Sequence, residues 1–383
     1  MAGAIYVHIP FCVRKCAYCD FPSVAHDPAL AEGYVEALGR EMALRAASTT
    51  GGAADTVYIG GGTPTVLSEG LLARVFASLR ENFALSPGAE VTVEANPGTL
   101  NRGKADFLLG LGANRVSLGA QSFEDRELAV LGRSHTAGEA EAAARLLEGT
   151  NFSLDLIYGV PGQDPGSWRR SLERAVGLSP AHVSAYELTP EEGTPLLAAL
   201  REGRLRLPPE EEVVEMFAMA EEALSGAGLR RYEISNYALP GRQCRHNVNY
   251  WRRGPYTGLG AGAHSFDGRT RRANGPDIRG YIEALSEGRL PPAVSQETTW
   301  EDALKETVFL GLRMTEGVEL QGPAAGAVME ASGGLIEEGL MEKAGGRLRL
   351  TRRGLLVSNS VFALLFEAIE KRAWPAGGSI AKG

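Results

Sequence analysis

Six short apolar runs alternate with five longer segments that carry apolar residues at helical spacing, from residue 5 to about residue 188. The runs are rich in Val, Ile and Tyr and read IYVHIPF, DTVYIGG, EVTVEANP, RVSLGAQS, SLDLIYGVP and HVSAYEL. Two strands that are joined through a helix pair in parallel, by a right-handed crossover. Continuous apolar runs are typical of strands that are covered on both faces. The sequence therefore predicts an α/β fold built on six parallel strands.

The pattern is weaker beyond residue 188. The Gly-, Arg- and Tyr-rich stretch 231–300 is predicted to wrap the edge of the sheet as loops and short strands. The other predicted elements are helices over 210–227, 301–314, 333–343 and 354–371 and a strand over 346–351. The elements beyond residue 300 resemble a small winged-helix module. The predicted units are 1–230, 231–300, 301–372 and a flexible tail over 373–383.

Charge and hydropathy limit the partners and the location. The 39 Lys and Arg residues against 47 Asp and Glu residues give a formal charge of −8, which disfavours a polyanion. A basic cluster in the C-terminal module suggests DNA binding, but the neighbouring glutamates favour a structural cap, so we expect no nucleic-acid partner. The chain has neither an apolar run of about 20 residues nor a secretory signal. We expect a cytoplasmic protein with at most transient membrane contact.

Three of the four cysteines lie within the loop CVRKCAYC, directly after the first predicted strand. This spacing lets Cys12, Cys16 and Cys19 hold three corners of one iron–sulfur cubane. Such clusters normally have four thiolate ligands, so the fourth iron would be open to an exchangeable ligand. A zinc site completed by a histidine such as His8 is the alternative. Cys244, far downstream, is either a thiol near a ligand or a buried inert cysteine.

Polar residues also mark the carboxyl ends of the other predicted strands, where α/β folds bind ligands. The turn GGGTPT would leave backbone N–H groups bare for a ligand, and Gln121 follows the fourth strand. Glu94 offers a carboxylate to a sulfonium or ammonium, Arg133 a guanidinium to a carboxylate, and Asp155 an acceptor to a ribose. Each signal alone is weak, since a tight corner or a solvated side chain explains it equally well.

The cysteine spacing, on a loop after the first strand, resembles the signature of the radical S-adenosylmethionine (SAM) superfamily. The resemblance implies a partial (β/α)6 TIM-like parallel barrel, followed by a smaller, mainly helical winged-helix-like C-terminal domain. It also implies a 4Fe–4S cluster that binds SAM at its open iron and cleaves it to a 5'-deoxyadenosyl radical. The implied cluster ligands are Cys12, Cys16 and Cys19. The implied SAM contacts are Tyr6, Tyr18, Gly61, Gly62, Thr63, Glu94, Gln121, Arg133 and Asp155.

Further blocks, among them YVHIPFC, EANP, GAQSF and DLIYGVPGQ, resemble the branch that contains oxygen-independent coproporphyrinogen III oxidase (HemN) and the HemW heme chaperones. Three features favour the HemW family. The first cysteine stands at position 12, without the N-terminal segment that the oxidase uses at its substrate site. Asp20 and Phe21 follow Cys19, where the oxidase has glycine and another cysteine. Residues 246–251 read HNVNYW and match the HNxxYW motif of HemW.

The motif makes His246 the candidate heme ligand, because an imidazole beside aromatic rings can bind heme iron while the rings cover the macrocycle. The alternative is a packed loop in which His246 is satisfied by hydrogen bonds and Tyr250 and Trp251 belong to the core. The resemblance implies a chaperone that binds heme and passes it to an unidentified acceptor protein, with flavodoxin or ferredoxin as a suitable electron donor. The alternative function is enzymatic: oxidation of coproporphyrinogen III to protoporphyrinogen IX.

Overall fold

The six predicted strands all form, and they pair in parallel, in a computed structural model that describes residues 3–48, 52–320 and 323–371. The described strands are β1 (Ala4–Ile9), β2 (Phe11–Cys12), β3 (Val24–Ala25), β4 (Ala54–Gly61), β5 (Leu85–Ala95), β6 (Arg115–Gln121), β7 (Phe152–Tyr158), β8 (His182–Glu187), β9 (Arg230–Arg231), β10 (Asn236–Ala238), β11 (Tyr256–Leu259), β12 (His264–Phe266), β13 (Thr270–Asn274), β14 (Ala293–Glu297), β15 (Met341–Ala344) and β16 (Arg347–Leu350). The prediction of an α/β fold with a parallel sheet is confirmed.

Helices connect the parallel strands, as predicted. The described helices are α1 (Pro28–Ser48), α2 (Glu69–Asn82), α3 (Arg102–Gly110), α4 (Asp125–Val130), α5 (Ala137–Leu146), α6 (Pro165–Gly177), α7 (Pro195–Arg201), α8 (Glu210–Gly226), α9 (Arg245–Trp251), α10 (Ile278–Ser286), α11 (Trp300–Arg313), α12 (Pro323–Ala331), α13 (Gly333–Glu337), α14 (Arg352–Leu356) and α15 (Ser358–Glu370). Side chains cap the N-termini of the crossover helices: Ser68 caps α2, and capping boxes start α5 at Thr136 and α6 at Asp164.

The segment 231–300 contributes strands to both edges of the sheet. The strand order is β14-β13-β12-β11-β1-β4-β5-β6-β7-β8-β10-β9 in the described residues. β11 extends the parallel part by pairing with β1, from Ala4 opposite Tyr256 to Val7 opposite Leu259. β10 pairs antiparallel with β8 at the other edge. We call the concave part of this sheet, from β1 and β4 through β8, the barrel; its outer face packs on the crossover helices around a continuous apolar core.

The chain beyond residue 300 has its own apolar core, formed by α11, α12, α15 and the hairpin β15–β16. Two predicted boundaries are wrong here. The helix predicted over 333–343 ends at Glu337, because Gly339 adopts φ +72°, and the chain then enters β15. The helix predicted over 354–371 is split at Val357, which lies between α14 and α15 with φ −120°. The tail predicted over 373–383 lies outside the described residues.

No helix in the described ranges combines the length and the apolar character needed to cross a bilayer.

Candidate functional site

The loop between β1 and α1 brings three cysteines to one cavity. β2 pairs with β3, so the loop 13–23 returns on itself, and Cys12 lies at its start. Cys12, Cys16 and Cys19 are free, partly exposed thiols. All three line a cavity of about 510 Å³ that extends along the inner face of the barrel. A volume of this size is typical of sites for small molecules and cofactors.

The surroundings of the thiols fit an iron–sulfur cluster. Burial raises the pKa of Cys12 and of Cys19, and neighbouring thiols raise both further. The Thr63 hydroxyl donates to the Cys12 sulfur at 3.8 Å, and Arg133 Nη1 donates to Cys16 Sγ at 3.3 Å. Such donors stabilise the thiolate form, which is the form that binds iron. The donor chemistry, three thiols on one loop, is that of a cluster.

His8, the histidine of the zinc alternative, is bonded away from the thiols. Its Nε2 donates to the Pro22 carbonyl oxygen at 3.0 Å, which leaves Nδ1 to accept from the Tyr6 hydroxyl, also at 3.0 Å. Burial lowers the pKa of His8, so its ring is neutral and both nitrogens are engaged. Tyr6 stacks on Tyr58 with ring centroids 6.2 Å apart and is not among the residues that line the cavity. His8 therefore holds the cysteine loop to β1 through its bond to Pro22.

The glycine-rich turn after β4 packs directly on the start of the cysteine loop. Gly61 has φ +109°, and a Cβ there would lie 2.3 Å from the His8 ring. A Cβ on Gly62 would lie 2.6 Å from the Phe11 carbonyl oxygen. The N–H groups of Gly61, Gly62 and Thr63 donate to a carboxylate on β5 and to carbonyls of β1 and β2, at 3.0, 2.9 and 2.7 Å. The expectation of bare N–H groups is wrong, because the chain itself uses them.

The carboxylate on β5 belongs to Glu94. It accepts from the Tyr58 hydroxyl at 2.8 Å and from the Gly61 N–H at 3.0 Å, and it lines the cavity. Burial, with a smaller contribution from the nearby Asp155, raises the pKa of Glu94 to about 7 although these hydrogen bonds lower it. Glu94 therefore changes charge near neutral pH, inside the cavity that also holds the thiols.

The remaining predicted SAM contacts lie around the same cavity. Asp155 accepts from the Ser117 and Ser184 hydroxyls at 3.0 and 2.8 Å, and burial raises its pKa. Gln121 has φ +68°, an uncommon conformation for this residue type, at the end of β6. Of the nine predicted positions, eight line the cavity: Tyr18, Gly61, Gly62, Thr63, Glu94, Gln121, Arg133 and Asp155. Tyr6 is the exception, and it contacts the cavity only through Tyr58.

Sequence reasoning missed the polar inner face of the barrel below the strand ends. Along β6, Arg115, Ser117, Gly119 and Gln121 alternate toward the cavity, and only the last was predicted. Tyr58 on β4 was missed as well. The alternation of side chains along a strand could have predicted them. When a residue at the end of a strand faces the ligand, every second residue before it faces the same cavity.

The structure does not bring His246 into the cavity. Its Nδ1 bonds the Thr56 hydroxyl and its Nε2 the Tyr250 hydroxyl, each at 2.9 Å, and only 1% of the residue is exposed. Burial lowers the pKa of His246 to about 3, so the ring is neutral. The motif helix α9 lies against β4, and its residue Asn247 lines the cavity. Ligation of heme iron by His246 stays a prediction, and it requires one of these two hydrogen bonds to open.

Comparison with known proteins adds to this geometry. A model of the radical SAM superfamily matches residues 6–175, and a model of the HemN C-terminal domain matches residues 299–357. The heme chaperone HemW of Mycobacterium tuberculosis is 38% identical over 369 residues, which are 94% of each chain. That of Bacillus subtilis is 36% identical over 370 residues, 93% of this chain and 97% of the relative. The solved structure of coproporphyrinogen III oxidase (HemN) from Escherichia coli has a TM-score of 0.82, with 22% identity, 97% of this chain and 90% of that chain covered. At that identity the match shows the shared fold.

Proposed function

This chain belongs to the HemW family of radical SAM proteins, and from that premise we propose that it binds heme and passes it to an acceptor protein. The observation that carries the proposal is similarity over nearly the whole chain to proteins named heme chaperones. The cavity supports it, because one site combines the thiols for a cluster with polar groups for an organic ligand. The likeness to the HemN oxidase extends to the fold alone and favours no second function.

Within this proposal, Cys12, Cys16 and Cys19 hold a 4Fe–4S cluster, and SAM lies beside it in the same cavity. When bound, the cluster supplies one-electron chemistry to SAM at its open iron. Arg133 is placed to neutralise thiolate charge at Cys16 and to bind the SAM carboxylate. Its second Nη donates to the Gly119 carbonyl at 2.8 Å, which fixes the guanidinium between β6 and the cysteine loop. These residues bind and orient the cofactors.

We expect SAM affinity to rise about tenfold between pH 6 and pH 8. Glu94 has a pKa of about 7 and is mostly protonated at pH 6, whereas a sulfonium cation favours the carboxylate. SAM binding at low pH must therefore release the Glu94 proton, and above about pH 8 the affinity should level off. The charged neighbours of Glu94, Asp155 and Arg115, lie on β7 and β6.

Equilibrium dialysis of SAM against the reconstituted protein at several pH values measures this dependence. Glu94→Gln should bind SAM more weakly and without the rise between pH 6 and pH 8. A wild-type affinity that is flat over this range, or a rise that persists in Glu94→Gln, would remove Glu94 from the SAM site.

The function itself is tested on anaerobically reconstituted protein by hemin titration and by assay with coproporphyrinogen III, SAM and a reductant. We expect one hemin per chain, seen as a shifted Soret band, with a dissociation constant in about the micromolar range or below. We expect no protoporphyrinogen IX. His246→Ala should change the bound-heme spectrum if its imidazole is the iron ligand. Failure to bind hemin, or turnover of coproporphyrinogen III, overturns the chaperone proposal.

The proposal requires two kinds of partner protein. These are an unidentified heme-acceptor protein and, where the cluster is reduced, an electron donor such as flavodoxin or ferredoxin. We propose a cytoplasmic location, because reducing conditions keep the three loop thiols available for a cluster. Delivery to a membrane-bound acceptor would need only transient contact.

A further inference from the structure

Arg115 is a buried cation that lacks a partner. It begins β6, is 2% exposed and lines the cavity. With the residues that the structure describes, its guanidinium forms no ion pair and donates no hydrogen bond, and its buried Nε has no acceptor. A guanidinium carries five N–H donors and stays charged at any pH that a folded protein tolerates. A buried guanidinium whose donors are unfilled is costly even where carboxylates lie nearby, so a fold that keeps one implies a missing acceptor.

The acidic side chains near Arg115 are all committed to other donors. Glu90 accepts the backbone N–H groups of residues 245 and 246, each at 3.0 Å, and so holds the start of α9. Glu94 accepts from Tyr58 and from the glycine-rich turn. Asp155 accepts from serine hydroxyls on β6, β7 and β8. Within the described residues, these carboxylates thus have their hydrogen-bond donors without a direct bond from Arg115.

The position of Arg115 separates it from the expected SAM carboxylate. Gln121 lies six positions beyond Arg115 along β6, which corresponds to about 20 Å at the rise of a strand. Arg133, the arginine beside the thiols, bonds Gly119 and Cys16 near the far end of the strand. SAM has one carboxylate, and the cluster end of the cavity already offers it an arginine. The anion for Arg115 therefore comes from another ligand.

Asn247 adds a second group at this end of the cavity. It is the residue of the HNxxYW motif that lines the cavity, and its amide forms no hydrogen bond with another described residue. The backbone N–H groups of its neighbours Arg245 and His246 donate to Glu90 on β5. The negative charge of Glu90 in turn raises the pKa of Arg115. A guanidinium with an amide nearby is a donor set for a carboxylate.

We propose that Arg115, assisted by Asn247, binds a propionate carboxylate of a porphyrin in the part of the cavity at the start of β6. The inference rests on the proposed heme-binding function, and it gives the HNxxYW motif a role through Asn247 that does not depend on His246. Heme carries two propionates, so it can reach Arg115 with one of them.

The test compares hemin with hemin dimethyl ester, whose propionates are uncharged, by Soret titration of the reconstituted protein. For Arg115→Gln we expect hemin affinity to fall by between about tenfold and a hundredfold, as for a lost charge-assisted hydrogen bond. The diester should bind the variant and the wild type equally. Arg115→Lys should restore part of the loss. Arg289→Gln, at an exposed arginine after α10, controls for the loss of one unit of charge and should bind hemin normally.

Two further measurements identify other outcomes. The melting temperature of Arg115→Gln without hemin should stay close to that of the wild type, because within the described residues the guanidinium donates no hydrogen bond that the fold would lose. SAM affinity, measured well above the pKa of Glu94 so that this carboxyl stays ionised without Arg115, should be unchanged. A loss of SAM binding would reassign the anion to SAM, and equal loss for hemin and diester, or no loss, would make Arg115 structural; each result overturns the inference while heme binding stands. If the wild type binds no hemin, the proposed function fails as well.

Discussion

Replacing any one of Cys12, Cys16 or Cys19 by serine should abolish assembly of the 4Fe–4S cluster, while Cys244→Ser should leave it intact. The three loop thiols line one cavity and are partly exposed, so iron and sulfide can reach them. Each thiolate holds one corner of the cluster, and the chain supplies no fourth thiol nearby to replace a lost one.

Cys244 is the matched control because it is the fourth thiol of the sequence and differs in its surroundings. It is fully buried before α9, with its sulfur 3.7 Å from a Glu90 oxygen. Burial raises the pKa of Cys244 to about 12, so it stays a neutral thiol and is a poor ligand for iron.

Iron and acid-labile sulfide analysis, together with the visible absorption of the anaerobic protein, measure cluster content. We expect about four irons and four sulfides in the wild type and in Cys244→Ser, and close to none in each loop variant. Full cluster content in a loop variant, or loss of the cluster in Cys244→Ser, would contradict a cluster that is held by the three loop thiols and has its fourth iron open to SAM. One tightly bound zinc without sulfide would restore the zinc alternative.

The strands of the barrel were predictable because burial on both faces leaves a continuous apolar run in the sequence. The same reasoning could not predict β11 beside β1. That pairing joins Ala4 to Tyr256, and no local period reveals a contact across some 250 residues. The strands at both edges of the sheet come from the segment of weak periodicity for the same reason.

The site was predictable where a chemical group stands at a strand end, and less so elsewhere. The cysteine loop and the positions of Glu94 and Gln121 follow from that rule, whereas Asp155 lies in the middle of β7 and lines the cavity from there. Arg115 lies at the start of a strand, where a polar residue normally marks a loop, and only the folded barrel shows that it faces the cavity. The prediction of bare N–H groups in the glycine-rich turn was wrong, because these groups donate to acceptors on β1, β2 and β5.

His246 shows which tertiary contacts bear on the two interpretations of a motif. The sequence places it beside aromatic residues, which suits either a heme ligand or a core histidine. Its Nδ1 partner, Thr56, is 190 residues away on β4, and its ring lies 5.2 Å from that of Tyr58. In this arrangement the ring supports the tyrosine that holds Glu94, so the motif helix also contributes to the cavity through packing.

Glu41→Ala should be the most destabilising of the substitutions considered, at about 3–5 kcal/mol of the free energy of unfolding. Glu41 is fully buried on α1 and pairs with Arg45 at 2.7 Å. It also accepts from the Gly260 N–H at 2.7 Å, the Tyr281 hydroxyl at 2.8 Å and the Asn274 amide at 2.9 Å. Removing this carboxylate takes away a charged partner of Arg45, which keeps neutral contacts such as the Asn274 amide oxygen at 3.0 Å, and it removes the acceptor of the Gly260 N–H and the Tyr281 hydroxyl.

The same helix provides a control of identical geometry in a different environment. Glu36 and Arg40 form an i,i+4 pair at 2.6 Å, but their side chains are 54% and 45% exposed. Glu36→Ala should cost no more than about 0.5 kcal/mol, because water replaces the lost contact. In thermal melts of the apo-protein, Glu41→Ala should lower the midpoint by about 5 °C and Glu36→Ala should barely change it. Equal shifts for the two variants would show that burial of the Glu41–Arg45 pair, and with it the junction of α1 to the strands after β11, contributes little to stability.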